Sequence, residues 1–184
     1  MRVESIRLKN FKAFRDVDMR EIPGFCVLIG ANGAGKSTLF SVFAFLRDAM
    51  ATNVTTALAK LGGSRGFQEV RSRGCVGAIE IELKIRADLG RSKQSLITYS
   101  LEIGEVSGRA VVEREVLKYR RGSGGQPWHF IDFSAGTGEA VTNVVASGTA
   151  SLGFFGIPLA IAAGVGLSLA IQGIVKAIGF ETGG

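Results

Sequence analysis

The eight residues from Gly30 to Ser37, GANGAGKS, set glycines, a lysine and a hydroxyl at the spacing of a phosphate-binding loop. Gly30 opens the pattern, and after four residues Gly35, Lys36 and Ser37 close it. Glycines let successive backbone amides turn inward around a β-phosphate, along a path that a Cβ would obstruct. Lys36 brings a point positive charge to the β and γ phosphates. Ser37 offers a hydroxyl to Mg²⁺, and a helix starting there aims its positive end at the anion. The chemistry these residues could do is to hold a nucleoside triphosphate with its metal.

Such a loop functions only between a strand and a helix, and the flanking sequence supplies both patterns. FCVLI, residues 25–29, is an apolar run without alternation, which predicts a central strand covered on both faces. From Lys36 to about Met50, Leu39, Phe40, Phe43 and Leu46 recur at helical spacing. Upstream, Ile6 and Leu8 alternate with Arg7 and Lys9 as in a half-buried strand, Asn10 to Phe14 form a turn with two aromatics, and a short strand follows near Val17 to Met19. Downstream, ATNVTTALAKLGG predicts a second helix ending at Gly62 and Gly63, and GSRGFQEVRSRG a loop.

From residue 78 the period changes to two. Ile79, Ile81, Leu83 and Ile85 point one way and Glu80, Glu82, Lys84 and Arg86 the other. SLITYSLEI, RAVVEREVLKYRR and QPWHFIDF supply three more strands, so an antiparallel meander packed by one face is expected.

RLKNFKAFRDV followed by LIGANGAGKSTLF resembles the amino-terminal opening of the ABC-type ATPase heads of the RecF and SMC group, a set of AAA-family ATP-binding proteins that serve DNA maintenance or defence. The resemblance covers residues 1–145. It implies an α/β P-loop NTPase fold with an antiparallel β subdomain, and ATP and Mg²⁺ as cofactors. It also implies phosphate contacts along Asn32, Gly33, Gly35, Lys36, Ser37 and Thr38, beside Gly30. Lys12 or Phe14 would lie near the base or ribose, with packing of the lobe the other reading for Phe14. Gln68 would join Ser37 at the metal, with a solvated loop amide as its alternative.

Such heads also carry an LSGGQ-like signature, an acidic pair ending an apolar strand, and a later histidine. FIDF has Phe133 where a glutamate should follow Asp132, FSAGTGE precedes no acidic strand, and the lone His129 sits beside Trp128. No catalytic residue is therefore assigned. The lobe is expected to bind ATP and, on its own, to be deficient as an ATP hydrolase, with a second head or another protein supplying the missing motifs. Two other readings stay open: a nucleotide-gated assembly module, and an ATP-binding protein anchored in a membrane.

The membrane reading rests on residues 146–184, expected to form a separate apolar, glycine-rich, helical tail. Leu152 to Val175 carries no charge and, as a helix, is long enough to cross about 30 Å of hydrocarbon. Pro158 and five glycines weaken that helix, so docking on protein is the rival reading. The net charge of +6 belongs to the first 150 residues, a surface compatible with DNA and equally with ordinary basicity. Cys26 and Cys75 lack partners at metal-ligand spacing and are expected to be partly buried thiols. The opening MRVESIRLKNF has no apolar signal core, so a cytoplasmic location is expected.

Overall fold

The computed structural model describes residues 2–88, 94–120, 128–134 and 137–140; the expected tail lies outside them. Its frame is one seven-stranded sheet, antiparallel at every pairing, in the order β2-β1-β3-β4-β5-β6-β7. The strands are β1 (Arg2–Phe11), β2 (Phe14–Met19), β3 (Ile79–Asp88), β4 (Gln94–Val106), β5 (Arg109–Arg120), β6 (Trp128–Ser134) and β7 (Thr137–Ala140). Between β2 and β3 the chain leaves the sheet to build α1 (Lys36–Ala51), α2 (Val54–Gly62), a 3-10 turn and α3 (Gly66–Val70).

The alternation in β3 and β4 buries one face and wets the other, as the sequence predicts. Leu8, Ile81 and Leu101 lie side by side across β1, β3 and β4, and Ile6, Leu83 and Tyr99 form the adjoining row. All six are at most 3% exposed. On this layer α1 buries Leu39, Val42, Phe43, Phe45, Leu46 and Ala49, spaced so that they line one helical face. Phe45 meets Phe11 of β1 with ring centroids 6.2 Å apart. The wet face is laced by ion pairs: Lys9 with Glu80 at 2.7 Å, and Arg86 gripping both carboxylate oxygens of Glu4. Arg86 holds the Glu4 carboxyl below its ordinary range.

One acid lies on the wrong face. The β4–β5 register slips beside Glu102, so Glu113 is an extra residue and Glu115 comes to pair with Leu101 inside the buried layer. At the slip, Gly104 has no side chain, which makes room for Glu113 to lie over the β4 backbone.

Three expectations require correction. Residues 25–29 form no strand: the segment runs without regular structure, with Phe25 83%, Val27 62% and Ile29 91% exposed. A central strand needs hydrogen-bonded neighbours on its edges as well as cover on its faces, and among the described residues no strand pairs with it. Only Leu28 packs toward the core. Cys26, on the same segment, is exposed and not partly buried. The expected loop at residues 63–74 contains α3, whose Phe67 and Val70 bury one short face; five residues are too few for periodicity to reveal. Among the described residues no helix is long and apolar enough to cross a membrane.

Candidate nucleotide site

The loop from Gly30 to Ser37 leads directly into α1, while the strand expected before it is not formed. Gly33 and Gly35 adopt φ of 85° and 88°, left-handed values that side-chain-bearing residues rarely accept. Ala34 N–H donates to Ala31 at 3.2 Å, which tightens the turn. Gly35 caps α1 with no side-chain bond, and the first turn of α1 carries no acid. Leu39 N–H makes the first helical bond, to Gly35 at 3.0 Å. The amides of Lys36, Ser37 and Thr38 therefore precede the helical ladder at the positive end of its dipole.

Lys36 turns its ammonium back over the loop and donates to the Gly30 and Ala31 carbonyls at 2.6 and 2.8 Å. A cation held above carbonyl oxygens, beside a free helix start, sits where phosphate oxygens could replace those carbonyls as its partners. Ser37 is exposed, and its carbonyl accepts from the Ser41 hydroxyl at 2.7 Å. Asn32 is likewise exposed, on the outer turn of the loop, and Thr38 is half-buried inside α1.

The β1–β2 turn reaches this loop through Phe14. A Cβ placed on Gly35 would stand 2.7 Å from Phe14 Cε1 and 3.0 Å from Cζ, so ring and glycine are packed without a gap. Lys12 diverges from it. Its side chain lines an open cavity of about 490 Å³ with Gly62, Gly63, Arg65 and Glu69, while its amide donates to the Val70 carbonyl at 2.6 Å. Phe11, the other aromatic of the turn, is fully buried. Gln68 is exposed on α3 and donates its amide to Glu105 at 3.1 Å. Among the described residues no cluster of His, Cys, Asp and Glu could hold a metal.

Asp132 in β6 and Glu139 in β7 are cross-strand neighbours, because FSAGTGE is split between these two strands. His129 pairs with Lys118 of β5 as an ordinary strand position.

The AAA-domain family described as "putative AbiEii toxin, Type IV TA system" matches residues 25–136. The chain belongs to this family. The match begins at the apolar run before the phosphate loop and spans α1 to β6, so it takes in the whole excursion that builds the site. Within the AAA setting the chain is similar to the heads of named ATPases. It is 28% identical over 102 residues to the DNA replication and repair protein RecF of Paenarthrobacter aurescens, covering 54% of this chain and 25% of that protein. It is 28% identical over 118 residues to the DNA double-strand break repair Rad50 ATPase of Halobacterium salinarum, covering 63% and 13%. To the chromosome partition protein Smc of Mycobacterium leprae it is 33% identical over 98 residues, covering 53% and 7%. The chain thus spans a quarter or less of the length of these relatives. A solved structure from work on ATP-driven dimerization and DNA-stimulated activation of SMC ATPases aligns over 64% of this chain and 69% of its own, at 19% identity and a TM-score of 0.43.

Proposed function

We propose that residues 1–145 are the ATP-binding lobe of an ABC-type, RecF/SMC-like ATPase, and that this lobe holds Mg²⁺-ATP without turning it over alone. One observation carries the reading: among the described residues the Lys36 ammonium is bonded to loop carbonyls alone, beside a helix start with no acid and no side-chain cap. The left-handed Gly33 and Gly35 make room for phosphate oxygens that a Cβ would exclude. Lys36 and the amides of residues 36–38 would hold the β and γ phosphates, and the Ser37 hydroxyl would take Mg²⁺, with Gln68 a second metal contact. Lys12 and Phe14 would bound the nucleoside side. Calorimetric titration with Mg²⁺-ATP tests this. Binding by the unsubstituted chain and its loss in Lys36→Ala is expected; equal affinity in the two would remove the proposal.

A second reading, a nucleotide-gated assembly module, draws on the segment next to the loop. Phe25, Val27 and Ile29 are exposed apolar side chains on an irregular stretch that ends at Gly30, the first residue of the loop. A second protein or second head that covered them would stand where the nucleotide is sensed. DNA enters as the client named for the RecF and Rad50 relatives, not through any residue of this lobe. Light scattering discriminates: a rise in mass on adding ATP, with no phosphate released, is the outcome of this reading, and unchanged mass excludes it.

A further inference from the structure

We propose that Ser72 is a positioning residue for the phosphate loop, acting through Phe14; the inference rests on the ATP-binding reading of that loop. Ser72 lies between α3 and β3 and is 3% exposed. Its hydroxyl donates to the Phe14 carbonyl at 2.8 Å, and its amide donates to the Asn10 carbonyl at 3.1 Å. It therefore ties both ends of the β1–β2 turn to one point. Two neighbouring attachments strengthen the tie. Lys12 N–H donates to Val70, and the Asn10 side-chain amide donates to the Val76 and Ala78 carbonyls at 3.2 and 2.9 Å.

The turn needs such holding. Asn10, with φ of 56°, is a residue type that tolerates the left-handed region, but Lys12 at 50° is not, and a lysine does not keep that conformation by its own preference. What the tie fixes is the place of the Phe14 ring, and that ring is packed against Gly35, the residue directly before Lys36. If the Phe14 backbone drifts, the ring either leaves a gap beside Gly35 or presses on a glycine that has no further room. The path from Ser72 to the cradle is thus one hydrogen bond, one side chain and one van der Waals contact. It also links the cradle to α3, and so to Gln68 and Arg65.

Calorimetry with Mg²⁺-ATP on the full chain tests the path, run well below the melting transition of each variant, where the chain is almost wholly folded and a merely structural role leaves the apparent dissociation constant unchanged. Ser72→Ala is expected to weaken the dissociation constant about fivefold, the size of one net hydrogen bond. In a Phe14→Ala background the same substitution should change it by less than about twofold, since the intermediary is gone. An unchanged dissociation constant in Ser72→Ala, or the same loss in both backgrounds, overturns the proposal. Should Ser72→Ala not fold, Phe14→Leu with Ser72 intact reports on the same contact: weaker binding is expected, and wild-type affinity overturns it. If Lys36→Ala abolishes binding while Ser72→Ala and Phe14→Leu leave it untouched, this inference and the nucleoside contact of Phe14 fail while the ATP reading of the loop stands. If the unsubstituted chain does not bind, the ATP reading fails and takes this one with it.

Discussion

Tyr99 donates its hydroxyl proton to the Glu115 carboxyl at 2.9 Å inside the apolar layer of the sheet. The other carboxyl oxygen of Glu115 is buried and has no partner among the described residues. Burial raises the Glu115 pKa above its ordinary value of 4.5, and the Tyr99 bond only partly opposes it; burial first and the nearby carboxyl second raise that of Tyr99. A carboxyl raised in the folded state stabilises fully below its unfolded pKa, and that contribution is lost as pH rises through the folded value. Each unit of elevation is worth about 1.4 kcal/mol. Glu115→Gln keeps an acceptor for Tyr99 and cannot ionise. Thermal melts from about pH 4 to pH 8 should therefore show the unsubstituted chain losing stability relative to Glu115→Gln as pH rises. Parallel melting curves across that range would show that Glu115 binds its proton equally in the folded and unfolded chain, with no elevation by burial.

The two left-handed glycines of the phosphate loop should differ in their tolerance of a methyl group. At Gly33 an added Cβ meets nothing within 4 Å, so Gly33→Ala carries only the backbone cost, about 1–2 kcal/mol. At Gly35 the same backbone cost is joined by a clash with the Phe14 ring. Denaturant titration should rank Gly35→Ala as clearly the more destabilised, and Phe14→Ala should restore part of the difference. Equal midpoints for the two alanine variants would mean that the loop relaxes away from the ring.

Ser37→Ala should separate metal from phosphate. On the proposed reading the lost hydroxyl would be a hard oxygen ligand of Mg²⁺, while the amides and Lys36 remain. ATP affinity at saturating Mg²⁺ should fall modestly and the Mg²⁺ concentration for half-maximal binding should rise. An unchanged metal titration would remove Ser37 from the metal.

Steady-state phosphate release by the purified chain should stay at background. Transfer of a phosphoryl group needs an oriented water and stabilised charge at the γ-phosphate in addition to a cradle, and those effects are worth many powers of ten in rate. Turnover of about one per second or faster, lost in Lys36→Ala, would mean that a carboxylate does this work. Glu69, which lines the cavity beside Lys12, and the cross-strand pair Asp132 and Glu139 would be the first three to replace.

The parts of this molecule that could be read from sequence are those specified by their own local pattern. The period-two alternation of β3 and β4, the helical spacing in α1 and the glycine-lysine-serine spacing of the loop each declare themselves within a dozen residues. Residues 25–29 misled because an apolar run states only that cover is wanted, and the described residues place none over Phe25, Val27 and Ile29. Glu113 and Glu115 look alike in RAVVEREVLKYRR; a register slip against β4, which no local pattern encodes, sends Glu115 inward. The contact of Phe14 with Gly35 and the bond from Ser72 to Phe14 join positions 21 and 58 residues apart, so composition and spacing carry no trace of them.

The strand order has a kinetic consequence. β3, β4, β5 and β6 pair with their neighbours along the chain, so that meander forms by closing short loops. β1 joins the sheet only by meeting β3 across residues 20–78, the segment that holds the phosphate loop and all three helices. That closure is the slow, non-local event of folding, and the nucleotide cradle does not exist until it has happened. A ligand bound there should accordingly leave the folding limb of a chevron nearly unmoved and slow the unfolding limb. The lobe would be guarded by its ligand against opening, while gaining no help from it in reaching the folded state.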